Sequence, residues 1–493
     1  MTRHTFKTGT FASASILAMA VAGQAQAVTF EQQMSATYQP TFFDNFDFDG
    51  DRDDGRTFTS AGAVDVGDEH VRGEIRWGAT VTAGKTTGKF LLESDSLQDA
   101  TFADGNGTLN LERAYFTYEF NPALVLQAGH EFKLPDFGGG GLLYGDDHPI
   151  FGVMGDTPFG SYDAYAILID DSRIGSSGER DSTVWLGEFS LDLGSRGTVK
   201  PIVAFHDNQN VDANITYFGG TFVGGISGLN ITAEAFGAVG GYGSTPPNTI
   251  NFRGSDTPND PSDDVIAPAG ANDLANDDIS SFAANMTLEF PVADAFKPNI
   301  GFRWTSGDDD PFDDDLEGWL GISDISGFVG PMSSGHSILR WGPQQNAALS
   351  APVVFGSTFE TSGPAEGSAE TGALPADGSS YGGIGNSGTG TNPGQIVIAP
   401  GATGSLTPSL SYQASLWFMW YDETAGLEAL PDADSSVDDY AGTQLDIRLD
   451  YALTENFTVS ASGGVLDPGD GVKDATGADD LASLALVEMK WSY

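Results

Sequence analysis

Charged residues that recur at every second position are the part of this sequence best placed to do chemistry. Arg72, Glu74 and Arg76 alternate with Val71, Ile75 and Trp77, while Asp446, Arg448 and Asp450 alternate with Leu445, Ile447, Leu449 and Tyr451. Arg113, Arg303 and Lys490 fall on the polar phase of similar runs. Set around a narrow aqueous space, fixed charges of this kind sort ions and small charged solutes. The acids that would complete such a field are concentrated in residues 135–181, which carry Asp136, Asp146, Asp147 and Asp156, followed by Asp163, Asp170 and Asp171. The spacing therefore predicts a constriction in which Arg72, Arg76 and Arg113 face Asp136, Asp146, Asp147 and Asp156. An ordinary solvated acidic loop is the plainer alternative for the acids.

Two further acidic stretches, DFDGDRDDG (47–55) and SGDDDPFDDDLEG (306–318), have oxygen ligands at the density that a hard cation such as Ca²⁺ prefers. Asp47, Asp49 and Asp51 in the first and Asp308, Asp310 and Asp313 in the second are the candidate ligands. The first partly resembles a D-x-D-G-D calcium turn but lacks a correctly spaced bidentate Glu, and loose divalent bridging to anionic lipopolysaccharide is the competing reading. Enzyme signatures are weak. Gly378-Ser379-Ser380-Tyr381-Gly382 fits G-x-S-x-G and Gly383 to Gly388 fits G-x-G-x-x-G, but both lie in one Gly/Ser-rich stretch without the strand-turn-helix setting that gives either motif its mechanism. The six histidines show no H-E-x-x-H spacing, and no catalytic residue is assigned.

The elements that must carry these residues follow from the same period of 2. The 493-residue chain opens with Arg3, His4 and Lys7, an apolar small-residue run, and Ala25-Gln26-Ala27, the layout of a secretory signal cleaved after Ala27. A retained anchor is the alternative, although its apolar core is shorter than the roughly 20 residues a spanning helix needs. The net charge is −48, from 21 Lys+Arg against 69 Asp+Glu, which argues against nucleic acid as a partner. There is no Cys, hence no disulfide framework and no thiolate metal site. No later stretch has 18 consecutive apolar residues, so a membrane-resident form must be a barrel.

Alternation over 28–493 gives sixteen strand segments, among them 69–81, 109–120, 123–134, 441–453 and 481–493. Some are joined by very short links, such as Asn121-Pro122, and others by long acidic Gly/Pro/Ser-rich loops, such as 241–280 and 307–393. Short turns at one rim and long loops at the other predict an all-β, transmembrane antiparallel β-barrel of about sixteen strands, with periplasmic turns and extracellular loops. The strand-like SYDAYAILID (161–170) is assigned to the loop 135–181, because a single extra wall strand would put the LGSRGT turn at the wrong rim. A cation on the lipid face at the midplane costs about 2–4 kcal/mol, so the register that turns the arginines inward is strongly preferred. A soluble β-sandwich or solenoid would alternate as well, but would not require the parity or the final Trp491-Ser492-Tyr493.

The paired strands LERAYFTYEFNPALVLQAGHEF (111–132) resemble those of Gram-negative porins, in which a Tyr-bearing strand turns over a short linker into a strand ending in Gly-x-Gln. RWGP (340–343), and the strand order around it, are most similar to the homotrimeric general-diffusion type. Glu131 stands where that family often has Gln, and Tyr493 where it usually has Phe. The resemblance implies a trimer, a third loop (here 135–181) folded inward to narrow the pore, and a terminal aromatic signal, Trp491 with Tyr493, read by the barrel-assembly machinery.

The expected function is passive diffusion of small hydrophilic solutes and ions across the outer membrane of a Gram-negative cell. A substrate-selective channel, for instance for an oligosaccharide, and a non-channel surface barrel are the alternatives. The expected partners are outer-membrane lipid, lipopolysaccharide and the assembly machinery. No cofactor is expected apart from the candidate Ca²⁺.

Overall fold

The computed structural model describes residues 28–44, 56–59, 62–65, 69–94, 110–133, 135, 142–171, 181–209, 213–242, 251–252, 265–266, 278–309, 315–319, 321–322, 393–428, 436–476 and 480–493. Eighteen of its strands form one closed antiparallel wall. In chain order these are β1 (Val28–Asp44), β2 (Glu69–Ala83), β3 (Thr86–Ser94), β4 (Asn110–Asn121), β5 (Leu124–Lys133) and β6 (Asp146–Thr157). They continue as β7 (Gly160–Asp171), β8 (Asp181–Asp192), β9 (Gly197–Asn208), β10 (Ala213–Ile226), β11 (Leu229–Tyr242) and β12 (Asp278–Glu289). The last six are β13 (Lys297–Thr305), β14 (Gln395–Thr407), β15 (Leu410–Trp420), β16 (Tyr440–Thr454), β17 (Phe457–Pro468) and β18 (Ala482–Ser492). Each strand pairs with its sequence neighbour, and β18 returns to β1 with Ser35 opposite Ser492.

The count exceeds the sequence expectation by one hairpin. β6 and β7, joined at Pro158-Phe159, are wall strands built from residues that the alternation places in the loop 135–181. Adding both strands together preserves the parity that either one alone would break, and the LGSRGT turn stays at the short-turn rim. β6 escapes detection because Pro149, Gly152 and Gly155 interrupt its apolar alternation. Gly152 is a packing requirement: a Cβ there would lie 2.2 Å from the ring of Tyr165 on β7.

Local chemistry sets the short-turn rim. At five of the tight connections the strand ends on Asn, Asp or Thr, whose side-chain oxygen accepts the N–H two residues on. Asn121 takes Ala123, Thr157 takes Phe159, Asp192 takes Gly194, Thr407 takes Ser409 and Thr454 takes Asn456. Such side chains stand in for a backbone acceptor and nucleate the reversal. At Ser227-Gly228 both residues have positive φ, the twist that suits a two-residue hairpin.

The outer face is apolar and exposed, with Phe30, Phe116, Tyr118, Phe151, Trp185, Phe218, Ile447 and Leu449 among its large side chains. The inner face is polar over β16–β18 and β1–β5, whereas over β6–β12 an apolar cluster is interspersed with polar residues such as Glu188, Lys200, His206, Glu234 and Asn285. A closed ladder with hydrocarbon-compatible residues outside spans a bilayer, because no backbone group is left without a partner in the lipid. The terminal residue completes the ladder: Met34 N–H donates to Tyr493 O at 3.0 Å and Tyr493 N–H donates to Met34 O at 2.8 Å. Trp491 and Tyr493 stack with ring centroids 6.5 Å apart.

Deleting Tyr493 removes both bonds at the seam, each worth about 1 kcal/mol net in water and more in lipid. The heat-modified gel shift should then begin at a lower temperature and the unheated folded band should weaken. Deleting residues 360–390, which contribute to no strand of the described wall, should leave the transition in place; equal loss in the two variants would remove the seam's special role.

Candidate functional site

The site is the inner wall together with two chain segments that fold onto it. Residues 142–145 precede β6, and residues 317–322 follow β13. Trp319 donates its indole N–H to Leu142 O at 3.1 Å, and Ile322 N–H donates to Leu143 O at 2.8 Å. Trp319 meets Tyr217 of β10 edge-on with centroids 6.0 Å apart. Beneath these segments Ile150, Tyr165, Ile167, Val184, Leu186, Ile215, Tyr217 and Phe236 form one continuous buried cluster with Leu142, Leu143, Tyr144, Trp319 and Ile322. This side of the barrel interior therefore holds a packed core. Lys200, three residues beyond the start of β9, donates to Pro135 O at 2.7 Å, which holds the chain leaving β5 inside the wall.

The other half of the interior is ionic. Arg76 Nε lies 2.8 Å from Glu93, 3.2 Å from Glu74 and 3.4 Å from Glu112, so three carboxylates converge on one guanidinium. Arg113 lies 3.2 Å from Glu112 and packs over the ring of Phe132. The register shift between Leu91 and Leu92 opposite Asn110 to Arg113 is a β-bulge, and it lets Glu112 and Arg113, consecutive residues, meet the same ion-pair network. Gly129, at φ +130°, passes so close to β4 that a Cβ would come within 2.3 Å of Ala114 O. That contact explains the glycine of the GHE stretch.

Next along the wall, Lys133 donates to Gln127 at 2.9 Å and to Tyr165 Oη at 3.0 Å, and Gln127 donates to Glu131 at 3.0 Å. Across the seam Arg448 lies 2.6 Å from Asp450 and 3.3 Å from Glu488, and also donates to Ser460 at 3.0 Å. All these pairs project from strands rather than loops, so backbone register fixes their positions.

The predicted constriction is accordingly redistributed. Arg76 and Arg113 lie on the inner wall, but their nearest described acids are Glu74, Glu93 and Glu112 of neighbouring strands, not the acids of 135–181. Arg72 lies on β2 opposite Gln39, and Asp146 and Asp147 lie on β6 opposite Lys133 and Phe132; the side chains of these three fall outside the described residues. Asp156 is corrected from a pore loop to an exposed position at the short-turn rim, where its N–H donates to Pro122 O at 2.9 Å. Asp163 is likewise a wall residue on β7, opposite Glu188. Asp136 falls outside the described residues.

Of the calcium candidates, Asp308 is buried at 2 % exposure, while Asp47, Asp49, Asp51, Asp310 and Asp313 fall outside the described residues. Among the described residues no group of three His, Asp or Glu is arranged to hold a metal ion. The glycine-rich stretch 378–388, RWGP and the leader 1–27 also lie outside them.

The residues that sequence reasoning missed are Glu93, Glu112, Glu488 and Trp319. Glu93 and Glu488 sit on the inward phase and were legible there, whereas Glu112 needed the bulge and Trp319 needed the fold of its loop.

No protein-family model matches the sequence, and neither does any curated protein. Solved structures similar to the chain include three proteins of Pseudomonas aeruginosa, among them the outer membrane proteins OpdK and OprD. OpdK has TM-score 0.49 and 10% identity over 94% of this chain and 98% of that one. OccK11 (OpdR) has TM-score 0.48 and 10% identity over 94% and 95%. OprD has TM-score 0.47 and 10% identity over 94% of each chain.

Trp319→Ala removes a buried indole, a change that costs about 3–5 kcal/mol in a packed core. The loss should fall on the docking of 142–145 and 317–322 rather than on the wall. Limited proteolysis should cut these segments in the variant while the unheated gel band persists. Loss of the folded band itself would show that the segments hold the wall together.

Proposed function

We propose that this chain is an outer-membrane channel through which small hydrophilic solutes and ions pass by diffusion. One observation carries the reading: a closed eighteen-strand barrel, apolar outside, holds on its inner wall a strand-borne array of paired Arg, Lys, Glu and Asp residues. Eighteen strands enclose more space than side chains can fill, and barrels of 16–18 strands characteristically leave an aqueous channel. In the outer membrane the tight turns face the periplasm and the long connections face outward. Catalysis plays no part in the proposal.

Substrate selection within the same channel is the second reading. The docked segments 142–145 and 317–322 favour it, because they narrow the interior and leave an ionic wall facing them. The inward aromatics do not favour it, since Tyr165, Tyr217 and Trp319 are buried in the packing cluster rather than offered to a solute. Homotrimeric assembly, contacts with lipopolysaccharide, recognition of Trp491 and Tyr493 by the assembly machinery and Ca²⁺ in the acidic loops belong to the proposal as sequence-derived parts.

Single-channel recording in planar bilayers tests it. A stable conductance that rises in proportion to salt supports diffusion, saturation or block by one solute class supports selection, and no conductance rejects both. Salt screens exposed charges beyond about 8–10 Å, so groups at the narrowest part should set selectivity. Neutralising Arg76 and Arg113 should shift the reversal potential toward cations. Neutralising Glu93 and Glu112, or Asp146 and Asp147, should shift it toward anions. Both shifts should shrink in high salt. Substitution of Asp313 to Asp315 is the control; an equal shift there would place the selective region in the outer loops.

A further inference from the structure

The outer wall is not evenly covered. Across β6–β9 a groove of about 430 Å³ opens toward the lipid. Two neighbouring outward rows build it: Phe151, Ala166, Trp185 and Phe205 stand side by side in one, and Val153, Ala164, Gly187 and Val203 in the other. Phe151 and Trp185 are ridges, each 59 % exposed, while the floor between the ridges and the valines consists of Ala166, Ala164 and Gly187.

Gly187 is the position that the wall itself does not explain. Glycine weakens a strand interior, so a reason for it is expected wherever it occurs there. Gly152 makes room for the ring of Tyr165, and Gly237, outward on β11, lies under Phe218 and Phe282, whose ring atoms would come within 2.8 and 3.2 Å of a Cβ. At Gly187 the nearest atom to a Cβ would be Val203 Cγ1 at 3.8 Å, an ordinary contact, and the residue is not among the glycines of positive φ. Neither backbone nor neighbours call for the missing side chain. A strand glycine of this kind marks a place where a ligand comes close.

We infer that the groove seats one acyl chain of an outer-leaflet lipopolysaccharide molecule. The inference rests on the barrel's place in the outer membrane and turns a general lipid contact into a defined seat. Adjacent strands lie about 4.8 Å apart, so a floor one to two strands wide accepts a single extended hydrocarbon chain and excludes an α-helix, about 10 Å across. The lining carries no charged side chain, and the Tyr165 hydroxyl is engaged by Lys133 inside the barrel, so hydrocarbon is the chemistry that matches. The leaflet follows from the rows on either side. Toward the long loops the next outward row is polar, with Thr183 opposite Asp207 and Asp207 opposite Asn214. Toward the tight turns the next row carries the rings of Tyr162 and Phe189. The groove therefore begins at the outer polar border of the hydrocarbon, where an outer-leaflet chain starts its descent.

Native mass spectrometry of the mature barrel, extracted from outer membranes and exchanged into lipid-free detergent, tests the seat. One lipopolysaccharide molecule should remain on each barrel. Gly187→Leu puts a side chain into the groove and should lower this retention by about tenfold, because the chain loses its packing contacts along the floor. The heat-modified gel shift should not change. Val239→Leu enlarges an outward side chain on β11, away from the groove, and should retain as much lipid as the parent. If Gly187→Leu weakens the folded band, Ala166→Leu fills the same space from β7 and carries the test.

The inference is overturned if the parent barrel retains no lipid, or if Gly187→Leu retains as much as the parent, which would mean that headgroup contacts alone hold it. Retention of phosphatidylethanolamine in place of lipopolysaccharide would overturn the outer-leaflet assignment. An oligomer that Gly187→Leu dissolves would give the groove to a second copy instead. Gly187 faces away from the bore, so its substitution should leave conductance unchanged, and failure of the channel reading is scored separately.

Discussion

Hydrocarbon offers no hydrogen bonds, and that constraint governs everything else in this molecule. Each backbone N–H and C=O within the lipid must find a partner in the chain, and a sheet meets the demand only by closing on itself. Closure here depends on register. The pairing of β18 with β1 brings the last residue opposite Met34, and a slip by one position would carry every inward charge to the lipid face. Arg76, Arg113 and Arg448 are tolerated because the closed ladder turns them all to the same side as their carboxylates.

Within that envelope the interior is divided. Over β6–β12 the inner face carries a large apolar cluster, and the segments 142–145 and 317–322 pack onto it and build a core inside the wall. Over β16–β18 and β1–β5 the inner face is ionic, and Arg76, Arg113, Lys133 and Arg448 each have a polar partner at short range. The pairs are partly exposed, so their contribution to stability is modest. Their effect lies in position: a guanidinium held by three carboxylates cannot swing, and the field it contributes is fixed in space.

Much of this was legible in the sequence. Period 2 identified most of the wall, and the polar phase turned Arg76, Arg113 and Arg448 to the same side as the carboxylates they pair with. The hairpin β6–β7 was not legible as wall, because Pro149, Gly152 and Gly155 erase its alternation; Gly152 makes sense only once Tyr165 is seen to occupy the place of its side chain. Thr157-Pro158 was the available clue, since Thr407-Pro408 makes the same kind of turn elsewhere in the chain. The partners of Arg76 come from three strands, and choosing them over the acids of 135–181 required cross-strand register and a bulge that no spacing rule reveals. The packing of Trp319 on Tyr217 joins residues about a hundred positions apart, beyond the reach of any local pattern.

The bond from Trp319 to Leu142 spans 177 residues of sequence, and its length imposes an order of events on folding. Contacts at such separation form late, after the intervening chain has been organised. Residues 142–145 can find their partner only when β6 through β13 already stand side by side. Until then the inner face of that half of the sheet is a hydrophobic surface without a cover, open to water or to whatever accompanies the chain. Narrowing of that half of the interior thus depends on this long-range bond and on the strands that hold its two ends in place.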